Sequence, residues 1–380
     1  MKKIIICIAF VLCQLISNAQ FPIGTSSIDF YDSSRNRFVE TEIYYPGVSN
    51  GTDVNPANGQ FPLIIFGHGF SIGINAYMNF VDSLVPEGYI VVLPTNEGGL
   101  SPDHGKFGED LAFLNDEIPF RAQQNSNFFL FSHFNGKTAI SGHSMGGGAS
   151  FLAAGNSNSL TTLINFAAAE TNPSAISAAA NITVPSLIFY AENDGVTPPA
   201  NHQIPMYQTL SSSCKYSINI LGGGHCNFAN YNLACSSAEL FTSPKPTINR
   251  SEQHRIIFRY LKPYLKWQLY DSSAYKNIFE NLLINAIDID YENDCSTSST
   301  EKLEQGFQIH PNPTKDYLYF SFPNTKLRQI EIINLCGQIN EVFSTKQKYY
   351  TIKISDYSKG IYLVRVSDDN QSFTRKLLVD

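Results

Sequence analysis

Apolar and polar positions follow two different rhythms along this chain, and the change of rhythm divides it. From Gln20 to Cys295, short apolar runs ending in turn residues alternate with stretches of helical spacing. "FPLIIFGHG" and "GYIVVLPT" are continuous in hydrophobicity and rich in β-formers, as strands buried on both faces are. Between them, "AYMNFVDSLVPEG" predicts a helix. "HGKFGEDLAFLNDEI" predicts another, because Phe107, Leu111, Leu114 and Ile118 fall on one stripe. "GKTAISG", "LTTLINFAAA", "VPSLIFYAEND" and "KYSINILGGG" follow as strands, the last of them the final clear one. "SEQHRIIFRYLKPYLKWQL" then closes the unit as a helix, with Ser251 as the expected N-cap. Strands alternating with helices predict an α/β fold on a mainly parallel, doubly wound sheet over residues 20–295.

A polar, Ser/Thr-rich tract at 292 to 305 comes next, and 296–306 reads as a linker. After it the period falls to two. "FQIHPNPTKDYLYFSFP", "QIEIINLCGQI", "YTIKISDYSKGIYLVRVSDD" and "SFTRKLLVD" alternate apolar with polar positions, so residues 307–380 predict a small all-β sandwich.

The first nineteen residues behave differently from both. Lys2 and Lys3 precede an apolar run, and Ser17-Asn18-Ala19 supplies small residues for a signal-peptidase cut after Ala19. The run is too short to span a bilayer with polar flanks. A lipoprotein cut before Cys13 is the rival reading, and bulky Leu12 stands against it. The mature chain is therefore expected outside the cytoplasm. A formal net charge of -7 argues against nucleic acid or an anionic membrane as partner. Export permits disulfides. Of the remaining cysteines, Cys336 lies apart, and Cys214, Cys226, Cys235 and Cys295 permit three pairings. Cys226–Cys235 is favoured, since it closes a short loop beside a histidine. No CxxC pair is present, and no metal site is expected.

That histidine belongs to the candidate chemistry. Gly142-His143-Ser144-Met145-Gly146 fits G-x-S-x-G, placed after an expected strand and before an expected helix. A serine on so sharp a turn needs very small neighbours two positions away on each side. A serine hydroxyl also needs a base, and the base an orienting acid. In chain order the candidates are Asp194, in the turn after "SLIFYAEN", and His225, after "INILGGG". Glu192 competes as acid but still belongs to the strand end. The remaining histidines read as loop-shaping (His68, His143) or as surface and packing residues (His104, His133, His202, His254, His310). Met145 and Phe70 follow Ser144 and Gly69 respectively, so their backbone N–H groups are the expected oxyanion donors. Phe70, Met145, Thr171 and Asn172 are the expected substrate contacts. Only about twenty residues separate the "INFAAA" and "SLIFYA" strands, which leaves no space for a helical lid.

"GHSMGGGAS", "VPSLIFYAENDGVTPP", "HQIPMY" and "GGGHCNFAN" resemble the cutinase-like polyester hydrolases, the group that includes poly(ethylene terephthalate) hydrolases. The likeness covers about residues 21 to 270. It implies a lidless α/β-hydrolase with Ser144, Asp194 and His225 as triad and Phe70 and Met145 as oxyanion donors. Relatives often clamp an aromatic ring between a residue at the Phe70 position and a tryptophan on the loop after the next strand. Here that loop reads "AAAETNPSAIS", and the only tryptophan is Trp267 in the terminal helix. Half of the clamp is missing, which argues against efficient turnover of aromatic polyesters and leaves ester hydrolysis intact. The tail, with "IHPNPTKDYLYF" and "DYSKGIYLVRV", is similar to the C-terminal sorting domain of the type IX secretion system. That resemblance implies the secretion machinery as a partner and release or surface attachment as the outcome. The rival for the tail is an adhesive or carbohydrate-binding sandwich using Tyr317, Tyr319, Tyr349 and Tyr350.

Together these readings predict a secreted, monomeric serine esterase acting on an ester or polyester without a cofactor. The alternatives are a small-ester esterase of the dienelactone-hydrolase, chlorophyllase or platelet-activating-factor acetylhydrolase type, an amidase, or a catalytically inert surface binding protein.

Overall fold

The structure, a computed structural model, describes residues 20–157, 159–295, 307–322, 325–334, 338–368 and 372–379. The expected signal peptide, the linker at 296–306 and Cys336 lie outside the described residues. The chain divides after Cys295 into two compact units.

The strands of the first unit are β1 (Ile23–Asp32), β2 (Arg37–Pro46), β3 (Gly51–Thr52), β4 (Phe61–Gly67), β5 (Ile90–Pro94), β6 (Phe134–His143), β7 (Thr162–Phe166), β8 (Ser186–Ala191), β9 (Cys214–Ile220) and β10 (Ile289–Cys295). They form one sheet in the order β10-β9-β8-β7-β6-β4-β5-β2-β1-β3. β5, β4, β6, β7, β8 and β9 are parallel neighbours, while β2 and β10 flank them antiparallel. The helices are α1 (Met78–Leu84), α2 (His104–Gln124), α3 (Met145–Ala154), α4 (Ala175–Ala179), α5 (Gln203–Thr209), α6 (Leu233–Leu240), α7 (Arg250–Leu269) and α8 (Ser273–Ile284).

Successive side chains of a strand point to opposite faces, and the parallel strands are apolar on both. Ile64 and Phe66 of β4 join Val91, Phe166 and Phe189 in the core under α1, α7 and α8. Leu63 and Ile65 of the same strand join Val92, Ile140 and Ile188 under α2, α3 and α5. Helices therefore cover the sheet on both sides, and this is the α/β-hydrolase architecture. Phe107, Leu111, Leu114 and Ile118 are all buried on the inner face of α2, as their spacing predicts. The β7–β8 connection holds only the five-residue α4.

Three local readings change. The unit does not close with α7, because α8 and β10 follow it. β10 occupies part of the tract read as linker: in "IDYENDC" only Ile289 is buried, so an edge strand looks like polar coil in sequence. Its place is set by pairing with β9 and by the Cys214–Cys295 disulfide at the end of that ladder. Closing a loop of 81 residues contributes about 4–5 kcal/mol in the chain-entropy account. The N-cap of α7 is Asn249, whose side chain accepts the Glu252 N–H at 2.9 Å, rather than Ser251.

The second unit stacks two antiparallel sheets. One pairs β11 (Gln308–His310), β12 (Tyr317–Ser321) and β15 (Tyr349–Lys353); the other pairs β13 (Arg328–Asn334), β14 (Ile339–Thr345), β16 (Gly360–Ser367) and β17 (Ser372–Val379). Leu318, Phe320 and Ile352 from the first meet Ile330, Ile332, Val364 and Leu377 from the second in one core. Tyr350 packs against Phe343 at the edge of that core, whereas Tyr317, Tyr319 and Tyr349 stay exposed.

Candidate active site

The site begins with a steric problem at the carboxyl ends of β4 and β6. Gly67 and Gly142 are adjacent across those strands, and α3 starts directly above them. A Cβ at Gly146 would sit 2.2 Å from the Gly67 carbonyl, and one at Gly142 would sit 2.3 Å from the Gly146 oxygen. No larger side chain fits either place. This closeness forces the turn between β6 and α3, where Ser144 adopts φ 57 and ψ -122. A non-glycine residue held there stores strain on the order of 1–3 kcal/mol. Ties to the β7 segment hold it: the Ser144 N–H donates to the Phe166 carbonyl at 3.0 Å, and the Ser144 carbonyl accepts from Ala169 at 2.8 Å.

The hydroxyl so presented meets an imidazole. Ser144 Oγ lies 3.0 Å from His225 Nε2, and His225 Nδ1 lies 2.8 Å from Asp194 Oδ2. Ser144 is 8% exposed, His225 and Asp194 1% each. The three residues expected from the sequence are thus in line. Glu192 is elsewhere: its carboxylate accepts the Gly222 N–H at 2.7 Å and shapes the turn leading to His225.

Asp194 has more partners than sequence reasoning assigned. Its Oδ1 accepts the backbone N–H groups of Val196 at 2.9 Å and Thr197 at 2.7 Å. The Thr197 hydroxyl lies 2.8 Å from Oδ2 and 3.0 Å from His225 Nδ1, and Gln203 Nε2 donates to that hydroxyl at 3.2 Å. A carboxylate with this many donors cannot rotate away from the imidazole. The loop before His225 is held from α7, where the Gln253 carboxamide accepts the Gly224 N–H and donates to the Gly224 carbonyl, each at 2.9 Å. Behind it, the Cys226–Cys235 disulfide ties the loop to α6. Gln203 and Gln253 carry a weak signal in sequence, a lone polar residue on an apolar helix face. Thr197 carries none.

The loop expected to supply an oxyanion donor follows β4. Both ring nitrogens of His68 lie 2.9 Å from carbonyl oxygens, of Gly69 and of Asn96, and the Ile72 N–H also donates to the Gly69 oxygen. With that oxygen held on the protein side, the planar peptide turns the Phe70 N–H the opposite way. The Phe70 ring is 48% exposed. Met145 is the first residue of α3, so its N–H is among the helix's unspent donors.

The loop after β7 is braced by two imidazoles. His202 Nδ1 accepts the Glu170 N–H at 2.9 Å, and His104 Nδ1 accepts the Asn172 N–H at 3.3 Å. Burial lowers the pKa of His202, which keeps it in the accepting, neutral form. The Thr171 hydroxyl donates to the Pro173 carbonyl at 2.7 Å, while Asn172 is exposed. Trp267 packs against Tyr216, Tyr264 and Phe279 on the α7–α8 face of the sheet and takes no part in this loop. Among the described residues, no group of three or more His, Cys, Asp or Glu side chains is gathered for a metal ion.

A hydroxyl, an imidazole and a buried carboxylate in line, beside two outward backbone donors, can generate a nucleophile and hold an oxyanion. Residues 308–380 match the family model of the secretion system C-terminal sorting domain, which makes the protein secreted or attached to the cell surface and brings it to the type IX machinery. No curated protein matches the chain. Residues 18–241, which contain Ser144, Asp194 and His225, match the PET hydrolase-like model, and the chain belongs to that family of hydrolases.

Proposed function

We propose that this protein is a serine hydrolase of carboxylic esters that works through an acyl-enzyme. His225 takes the Ser144 proton as Oγ attacks the ester carbonyl, and Asp194 orients the imidazole and stabilises its charged form. The N–H groups of Met145 and Phe70 receive the oxygen that becomes negative. His225 then passes the proton to the departing alcohol, and a water activated by the same nitrogen releases the acid. The observation that carries this reading is the continuous path from Oγ through Nε2 and Nδ1 to Oδ2, at 3.0 and 2.8 Å.

The substrate we favour is a polyester, met by the protein as a monomer. Phe70 beside the oxyanion donors, and Tyr231, Leu233, Leu240 and Phe241 in the segment after His225, are large exposed apolar side chains. That segment returns to the site: Thr242 lies against Gly195, next to Asp194. A water-exposed apolar rim suits an apolar, extended substrate better than a small polar ester. Exposed Asn172 is our candidate for contact with the chain of the substrate, with Thr171 shaping its loop.

Purified protein assayed on a p-nitrophenyl ester, an aliphatic polyester film and an aromatic polyester film tests both levels. Hydrolysis of all ester substrates should vanish in Ser144→Ala at unchanged melting temperature. Activity retained by that variant removes the mechanism; activity on the soluble ester alone removes the polymer and leaves a small-ester esterase.

A further inference from the structure

The Tyr77 hydroxyl and the His143 ring are buried between the two halves of the site, and the mechanism above uses neither. The Gly69 N–H donates to Tyr77 Oη at 2.8 Å; Tyr77 Oη is 2.9 Å from His143 Nδ1; and His143 Nε2 is 3.1 Å from the His225 carbonyl oxygen.

The direction of each bond follows by elimination. The His225 carbonyl can only accept, so His143 Nε2 carries a proton. Burial holds His143 well below the ordinary imidazole range, and nearby His225 pushes the same way, so the ring is neutral and Nδ1 is bare. Tyr77 must then donate to Nδ1, which frees its lone pairs for the Gly69 N–H. Burial also raises the Tyr77 pKa, so the phenol keeps its proton. Every donor in this chain has one acceptor, and no member can reverse without leaving a buried group unpaired.

We propose that Tyr77 and His143 are positioning residues that hold the oxyanion loop at Gly69–Phe70 and the base at His225 in one rigid frame. They span four segments: the loop after β4, the turn before α1, the end of β6 and the loop after β9. As Ser144 attacks, its proton must meet the acceptor nitrogen of His225 while the substrate's carbonyl oxygen meets the oxyanion donors, so drift between those loops costs rate more than affinity. The neutral His143 ring, 4.7 Å from the His225 ring, also adds no like charge when His225 becomes protonated. This inference rests on the triad proposed above.

Tyr77→Phe keeps the ring and removes only the hydroxyl. It should lower kcat on a soluble ester on the order of tenfold, short of the 10²–10³ expected for deleting an oxyanion donor, with KM within about twofold. His143→Gln, which retains a donor for the His225 carbonyl, should keep more kcat than His143→Phe. In a double-mutant cycle the losses of Tyr77→Phe and His143→Phe should be less than additive, because either one breaks the same chain. Full kcat in Tyr77→Phe, or losses that multiply independently, overturns the coupling. Ser144→Ala measured in parallel separates the two ideas: if it is inactive while Tyr77→Phe is unimpaired, only the frame is wrong; if it is active, the triad is.

Discussion

The two sides of the site are held by different physics. On the serine side the constraint is steric: Gly67, Gly142 and Gly146 bring three backbones so close that the turn at Ser144 has one available path. On the histidine side it is polar. Thr197 holds Asp194 and is itself held by Gln203 of α5, Gln253 of α7 holds Gly224, and His143 at the end of β6 holds the His225 carbonyl. Two of the three glycines, Gly142 and Gly146, fall within one G-x-S-x-G stretch, so the steric constraint leaves a motif. Polar constraint is assembled from distant residues and leaves none. The proposed nucleophile and the proposed base are therefore equally well held, but unequally visible.

Breaking the polar side at its centre should have the largest effect. Asp194→Asn keeps the shape and removes the charge that orients and stabilises protonated His225, so kcat should fall about 10³–10⁴-fold. Steady-state kinetics on a soluble ester reads this, and circular dichroism should show the fold intact. Breaking the steric side should instead cost the fold. Gly146→Ala drives a methyl against the Gly67 and His68 carbonyls, at 2.2 and 2.5 Å, which costs about 3 kcal/mol or more. Thermal unfolding should show the loss, with activity falling only as the folded fraction does.

The comparison also explains what could be read in advance. The buried parallel strands were legible because β4 and β5 are apolar without interruption. Ser144, Asp194 and His225 were legible because the elbow motif sets the chain order in which acid and base must follow. β10 was not, since an edge strand with one buried residue looks like coil until Cys214 claims Cys295. Nor were Thr197 and the Tyr77–His143 chain, whose meaning depends on contacts across as many as 82 positions.

Acid sharpens the contrast with the smallest effect. Burial lowers the pKa of His143, His202 and His254 below the ordinary 6.5. Their neutral forms belong to the fold, and the unfolded chain takes up protons first as pH drops. Stability is therefore complete above pH 6.5 and declines as pH falls from there toward the lower folded values, with fully buried His143 contributing more than partly exposed His202 and His254. Melting temperature measured between pH 8 and 5 should fall on the acid side, and His143→Gln should flatten part of that slope.

The central claim is that one hydroxyl, made nucleophilic by His225 and Asp194, does the chemistry. A fluorophosphonate tests it most directly, followed by peptide mapping of the labelled protein. The account predicts one label per chain, on Ser144, formed orders of magnitude more slowly when Asp194 is Asn. A protein that stays unlabelled while folded, or that carries the label on another residue, contradicts it.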